Sequence, residues 1–244
     1  MEMTRKILMF HDVYRETPSE SGFLGAGPDL YKLSEENFTE IIRYICECKR
    51  KEDYVFTFDD GGISFYTVIA PILESYNLRG IFFIATESIG QPGFMTSDQI
   101  LDLDSRGHLI GSHSHTHRRL SSIPKTEVYN EWEKSKNILE SIVGHEVAIA
   151  SIPNGYQSDF VLSEAAKCGF IDMYTSTPTC RLTRKMSLDL YGRFVIMKDV
   201  STAEINRLDS KFIRSYLYMR AKLLLLIQKV MGPYYKKIRN YLVK

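Results

Sequence analysis

Seven short apolar runs, at 7–10, 54–58, 80–85, 108–112, 148–152, 173–175 and 194–197, recur along the chain with helical patterns between most of them. This alternation constrains the fold more than any other feature of the sequence. Parallel strands need a crossover long enough to carry the chain back, and a helix is the usual one. The spacing predicts helices over 34–51, 63–76, 96–106, 125–143 and 158–168. Ser34-Glu35-Glu36 supplies an N-cap and early acids to the first, Gly144 closes the fourth and Gly169 the fifth. A chain so built is an α/β protein, and seven such units close into a barrel more readily than they leave an open sheet. The expected architecture is a distorted (β/α)7-type barrel over 1–205 with a C-terminal helical tail over 206–244. A length of 244 residues with 44% hydrophobic and 25% charged side chains suits one such core.

Charge separates the tail from the body. From Lys211 onward there are nine Lys or Arg and no Asp or Glu, leaving 22 basic against 30 acidic side chains in the first 210 residues. KFIRSYLYMRAKLLLLIQKV reads as a helix ended by Gly232-Pro233. Tyr234, Ile238, Tyr241 and Leu242 would line one face of a second short helix, with Lys236, Lys237 and Arg239 elsewhere. A basic amphipathic segment of this kind is expected to meet an anionic membrane surface; the alternative is packing on the barrel or on a second copy. No nucleic-acid motif accompanies the basic and aromatic residues, so nucleic acid is not an expected partner. The apolar run in MEMTRKILMFHDV is too short for an export signal, and 223–227 is far short of the roughly twenty residues that span a bilayer. The expected location is the cytoplasm, with peripheral contact at the inner face of the membrane. Cys46, Cys48, Cys168 and Cys180 show no metal-site spacing and are expected as reduced thiols.

Two stretches carry chemistry. VFTFDDGG, at 55–62, ends an apolar strand with Asp59 and Asp60 followed by two glycines. The carboxyl ends of parallel strands are where ligand sites form. Neighbouring side chains point apart while a strand persists, but a turn at its end lets both carboxylates reach one pocket, one to bind a metal and one to act as a base. The competing reading is an Asp-Gly turn capping the next helix. GSHSHTHRRL, at 111–120, follows another strand and holds His113, His115 and His117. Two imidazoles with one carboxylate form a familiar three-ligand zinc site, but spacing alone does not say which two bind. A solvated polar loop would require three chance histidines. Residues 12–31, with Pro18, Gly22, Gly25, Gly27 and Pro28, read as a surface loop that borders a site.

TFDDGG followed by GSHSHTH resembles the polysaccharide deacetylases, the NodB-homology or carbohydrate esterase family 4 group, and Gly107-His108-Leu109-Ile110-Gly111 resembles the segment that introduces their second motif. The resemblance implies that Asp60, His113 and His117 bind a divalent metal, most often zinc, and that Asp59 is the catalytic base. His115 is then a loop residue, and His108 falls too early. Ser151-Ile152-Pro153-Asn154-Gly155 is similar to the family's third motif; Asn154 would supply a backbone N–H to the oxyanion, with Pro153 and Gly155 shaping the substrate side.

The chain departs from the pattern at two places. Ser151 stands where the family has an arginine beside the base, and Arg193 is the candidate replacement, expected in the substrate pocket; an ordinary salt bridge or an exposed arginine is the alternative. The family's late histidine is missing, since none follows His145. His11, at the end of the first strand, is similar to a histidine in the branch that includes biofilm-polymer deacetylases. It is expected to donate a proton to the leaving amine or to contact the sugar; a purely structural histidine is the alternative. The implied function is metal-dependent removal of an N-acetyl or formyl group from a sugar, lipid-linked, nucleotide-linked or within an oligosaccharide, in surface-polysaccharide or glycan-precursor assembly. The alternatives are a metallophosphoesterase or amidohydrolase, and a non-catalytic sugar-binding relic.

Overall fold

The computed structural model describes residues 5–47 and 51–231. Strands β1 (Lys6–Phe10), β4 (Tyr54–Phe58), β5 (Gly80–Ile84), β6 (Leu109–Ser112), β7 (Ile149–Ser151), β8 (Asp172–Thr175) and β11 (Phe194–Val195) fall where the seven apolar runs predict them. Between them in the chain stand β2 (Val13–Tyr14) and β3 (Leu33–Ser34), which pair with each other, and β9 (Thr183–Lys185) and β10 (Leu188–Gly192). The large sheet runs β11-β1-β4-β5-β6-β7-β8-β10-β9, parallel throughout except for the β9–β10 pair.

The sheet closes through its own chain. Gly192 still faces Thr175 on β8, whereas Phe194 already faces Leu8 on β1, so a single residue, Arg193, crosses the seam between the two ends of the sheet. Counting β10 and β11 as one split strand gives seven staves. Helices α1 (Glu35–Glu47), α2 (Ala70–Ser75), α3 (Ser97–Ser105), α4 (Lys125–Val143) and α5 (Asp159–Lys167) cover the first five crossovers. The sixth, from β8 to β10, carries β9 instead of a helix. The architecture is therefore the expected distorted barrel. Local chemistry sets several boundaries: Thr96 and Gln99 form a capping box at α3, Ser158 caps α5, and Gly144 ends α4 with φ 77°.

Side-chain alternation makes an outer apolar layer under the helices and an inner one inside the barrel. On β1, β4 and β5, Leu8, Phe10, Phe56, Phe58, Phe82 and Ile84 face the helices, while Ile7, Val55, Ile81 and Phe83 point into the barrel with Ile149 and Tyr174. Further along the same inward rows the residues turn polar, to Thr57 on β4, Asp59 just beyond it and Ser151 on β7. The barrel interior has an apolar layer around Ile7, Ile81, Phe83 and Tyr174 and turns polar at the carboxyl ends of the strands.

After β11, α6 (Thr202–Arg207) buries Ile205 in the outer core, and α7 (Lys211–Met231) rests Leu217 against it. The predicted face made by Tyr234, Ile238, Tyr241 and Leu242 lies outside the described residues. No helix among the described residues is long and apolar enough to cross a membrane. Cys46, Cys168 and Cys180 are free thiols; Cys48 lies outside the described residues.

Candidate active site

β4 stops at Phe58 because the backbone leaves the sheet. Asp59 still donates its N–H to Phe10 O (3.1 Å), but Asp60 has φ 93° and Gly61 φ 96°. That turn aims two adjacent carboxylates at one pocket. Asp59 is 3% exposed and grips Arg193 with both oxygens: Nη1 donates to Oδ1 (2.6 Å) and Nη2 to Oδ2 (2.7 Å). Arg193, 1% exposed, also donates to Thr175 O (3.2 Å), Thr57 Oγ1 (3.2 Å) and Ser151 Oγ (2.6 Å), and Ser151 Oγ donates to Asp59 Oδ2 (3.1 Å). The arginine absent at 151 is thus answered by one arriving from the barrel seam, with the serine filling the space between. Burial pushes the Asp59 carboxyl upward, but the Arg193 charge and then His113 outweigh it and hold the group below its ordinary value.

The histidine loop changes direction twice. Ser114 (φ 63°) and His117 (φ 56°) are left-handed, each costing an L-residue about 1–2 kcal/mol. The two reversals break the extended pattern that would place all three imidazoles on one face. His113 and His117 turn toward Asp60, while His115 turns away to bond Thr86 Oγ1 through Nδ1 (2.9 Å). His113 Nδ1 donates to Ser151 O (3.1 Å), which fixes the ring with Nε2 facing Asp60. Phe23, from the loop between β2 and β3, stacks on His117 at 4.7 Å and 23°. Beneath the turn, Glu131 of α4 accepts hydrogen bonds from His115 N (3.2 Å), Thr116 N (2.9 Å), Thr116 Oγ1 (2.7 Å) and Arg118 Nη2 (3.0 Å).

These residues fit a metal ion. One ligand atom each from Asp60, His113 and His117 lie within 4.8 Å of one another. Asp60 Oδ1 stands 3.4 Å from His113 Nε2 and 3.1 Å from His117 Nε2, yet it is buried without a hydrogen bond. A buried carboxylate oxygen left in that state is costly, and a cation among the three atoms would satisfy it. Asp60 lies well below the usual carboxylate range because the two imidazoles outweigh the opposing effect of its burial.

The remaining predicted residues surround this cluster or stand apart from it. His11 follows β1 beside Tyr31 (ring centroids 4.9 Å); its Nδ1 is buried without a protein partner, and burial lowers its pKa. Asn154, with φ 59°, donates from Nδ2 to His117 O (3.0 Å), so the 153–155 turn braces the histidine loop. Pro153 is buried, and Gly155 is left-handed (φ 70°), where a Cβ would be strained and would displace the Ser176 hydroxyl. His108 is structural: its Nδ1 accepts from Gly80 N (3.0 Å) and its Nε2 meets Glu74 (3.0 Å). His145 pairs with Asp104.

Sequence reasoning missed Phe23, Glu131 and the frame of the 12–32 loop. That frame is polar and buried. Lys32 Nζ donates to Pro18 O and Phe23 O (2.7 Å each), and Asp12 Oδ1 accepts from Ser21 Oγ (2.6 Å) and Ser64 Oγ (2.9 Å). Burial pushes Asp12 up to about 6. Glu131 did leave a signal: it occupies the stripe Val128, Glu131, Trp132, Ser135, Leu139 that the helix buries, a place where a charge calls for a partner.

Fold and cluster together define a class: an α/β barrel that gathers one aspartate and two imidazoles, beside a second buried carboxylate, at the carboxyl ends of its strands. The chain belongs to the polysaccharide deacetylase family, whose sequence model matches residues 47–171. It is 25% identical over 130 residues to the peptidoglycan-N-acetylglucosamine deacetylase of Bacillus cereus, covering 53% of this chain and 46% of that protein. The chain spans about half the length of the curated relatives it matches. Among solved structures, a polysaccharide deacetylase from Bacillus cereus is similar with a TM-score of 0.69 at 20% identity, over 84% of this chain and 68% of that one. The deacetylase PplD of Streptococcus pyogenes, solved in complex with acetate, gives 0.67 at 18% identity, over 84% and 98%. Likeness at this identity establishes the fold.

Proposed function

We propose that the protein is a metal-dependent carbohydrate N-deacetylase, removing an acetyl or formyl group from an amino sugar. The single observation that carries the reading is the convergence of Asp60, His113 and His117 within 4.8 Å beside the Arg193-paired Asp59. Asp60, His113 and His117 would hold the ion, with zinc the best match to a two-imidazole, one-carboxylate set. When bound, a divalent cation supplies Lewis-acid polarisation of the acyl carbonyl and acidifies water. Asp59, kept ionised by Arg193, accepts the proton of the attacking water. The Asn154 backbone N–H stabilises the oxyanion, on the turn set by Pro153 and Gly155. His11, whose pKa burial lowers, takes up the proton that Asp59 has accepted from the water and delivers it to the departing amine, or contacts the sugar.

The substrate we infer is lipid-linked or nucleotide-linked, and the outer face of α7 supports the membrane side of that reading. Phe212, Tyr216, Met219, Leu223 and Leu226 follow one another at spacings of four and three, and each is more than half exposed (78%, 57%, 64%, 57% and 58%). Exposed Arg220 and Lys222 flank the stripe. A basic-edged apolar stripe suits the headgroup region of an anionic leaflet, such as the cytoplasmic one, better than a second, equally basic copy of itself. The test is release of acetate or formate from N-acylated amino sugars carried on undecaprenyl diphosphate, on a nucleotide, or in an oligosaccharide. Metal binding without acyl release from any of the three would point instead to a sugar-binding relic.

A further inference from the structure

We propose that Glu131 is a positioning residue for the metal centre, holding the strained turn between the two histidine ligands so that both imidazoles meet one ion. The inference rests on the metal reading given above. His113 needs little help: its N–H donates to Ile84 O (2.9 Å) and its Nδ1 to Ser151 O (3.1 Å), so it remains tied to the sheet. His117 is four residues further on. Asn154 bonds its carbonyl and Phe23 stacks on its ring, but its place also depends on the path of 114–116, which runs through a left-handed Ser114 into a left-handed His117 and is tied to the 86–87 turn by Ser114 O and His115 O.

The turn leaves the N–H groups of His115 and Thr116 side by side, pointing at α4. Consecutive amides so arranged form a small anion-binding nest. Glu131 Oε2 fills it at 3.2 and 2.9 Å. Oε1 takes the Thr116 hydroxyl at 2.7 Å and Arg118 Nη2 at 3.0 Å. All four donors belong to residues between the ligands or immediately after the second, and Glu131 is not in the ligand cluster itself. The neighbouring link between α4 and β6, Ser135 Oγ to Ser112 Oγ (2.7 Å), already joins the helix to the strand. The added role of the carboxylate is to fix the turn. Outer residues that orient metal ligands typically change affinity 10–100-fold when altered.

The test titrates the metal-free protein with Co2+ alone, reading affinity by calorimetry and coordination by the visible absorption bands. Wild type is compared with Glu131→Gln, Glu131→Ala and Thr116→Val, each checked for folding by circular dichroism and thermal melting. Folded Glu131 variants are expected to bind Co2+ roughly 10–100-fold more weakly, with altered bands. Thr116→Val, which removes one of the four bonds, is expected to lose affinity in the same direction by less, at an unchanged melting temperature of the metal-free protein. A folded Glu131→Gln with wild-type affinity and bands would overturn the proposal. Should both Glu131 variants fail to fold, an unaltered Thr116→Val titration would overturn it. A wild type that binds no Co2+ refutes the metal reading beneath it, a result distinct from equal binding by wild type and variants.

Discussion

Replacing Arg193 by methionine tests the electrostatic centre of the site. The guanidinium makes five hydrogen bonds, two of them to Asp59, and both partners are at most 3% exposed. Removing one member of a buried pair costs roughly 3–5 kcal/mol, because the other is left charged and unpaired. In the wild type the folded Asp59 sits below its unfolded value, so the pair contributes stability above the unfolded carboxylate value and loses it as pH falls through the folded one. Without Arg193, burial dominates and raises the Asp59 pKa. Arg193→Met is therefore expected to be far less stable than wild type near neutral pH, with the gap narrowing in acid. Urea unfolding of the metal-free proteins at about pH 7 and about pH 4 measures it. The double variant Asp59→Asn/Arg193→Met, which leaves no orphaned charge, should be more stable than Arg193→Met alone. A loss below about 1 kcal/mol, equal at both pH values, would refute the reasoning, as would a double variant that simply adds the two single losses.

Three further outcomes are expected. Asp12, raised by burial to about 6, binds its proton more tightly folded than unfolded, so wild-type stability should decline by up to about 3 kcal/mol as pH rises from about 4 to about 6 and then level off. Asp12→Asn should lack that slope in urea midpoints measured across the range, and a retained slope would contradict the assignment. His11→Ala should lower kcat for acyl release roughly 100-fold or more if the residue relays the proton, while a rise confined to KM would assign it to sugar contact. Met219→Glu/Leu223→Glu should abolish sedimentation with phosphatidylglycerol vesicles without changing turnover on a soluble substrate, and undiminished binding would remove α7 from the membrane account.

The parallel barrel was legible because its strands are short apolar runs separated by capped helices, and such periodicity survives without tertiary information. Leu188–Gly192 escaped notice because it follows the exposed Thr183–Lys185 strand and two left-handed residues, Met186 and Ser187, and then changes partner at Arg193. The seam also explains why the role of Arg193 was hard to read from sequence. Nothing local shows that a guanidinium 134 residues from Asp59 will lie on it. Asp60, His113 and His117 were marked by their own spacing and by likeness to a family, but the selection of His117 over His115 depends on the left-handed backbone at 114 and 117. Phe23, Asp12 and Lys32 act through a loop without periodicity, so their burial is visible only once the loop is folded.

Metal stoichiometry of the purified protein is the most direct test of the central claim. Elemental analysis after zinc loading and exhaustive dialysis should find one equivalent in the wild type and close to none in a folded Asp60→Asn or His117→Ala variant, while His115→Ala keeps its equivalent. Zinc retained equally by the Asp60 and His117 variants, or lost only with His115, would contradict the site described here.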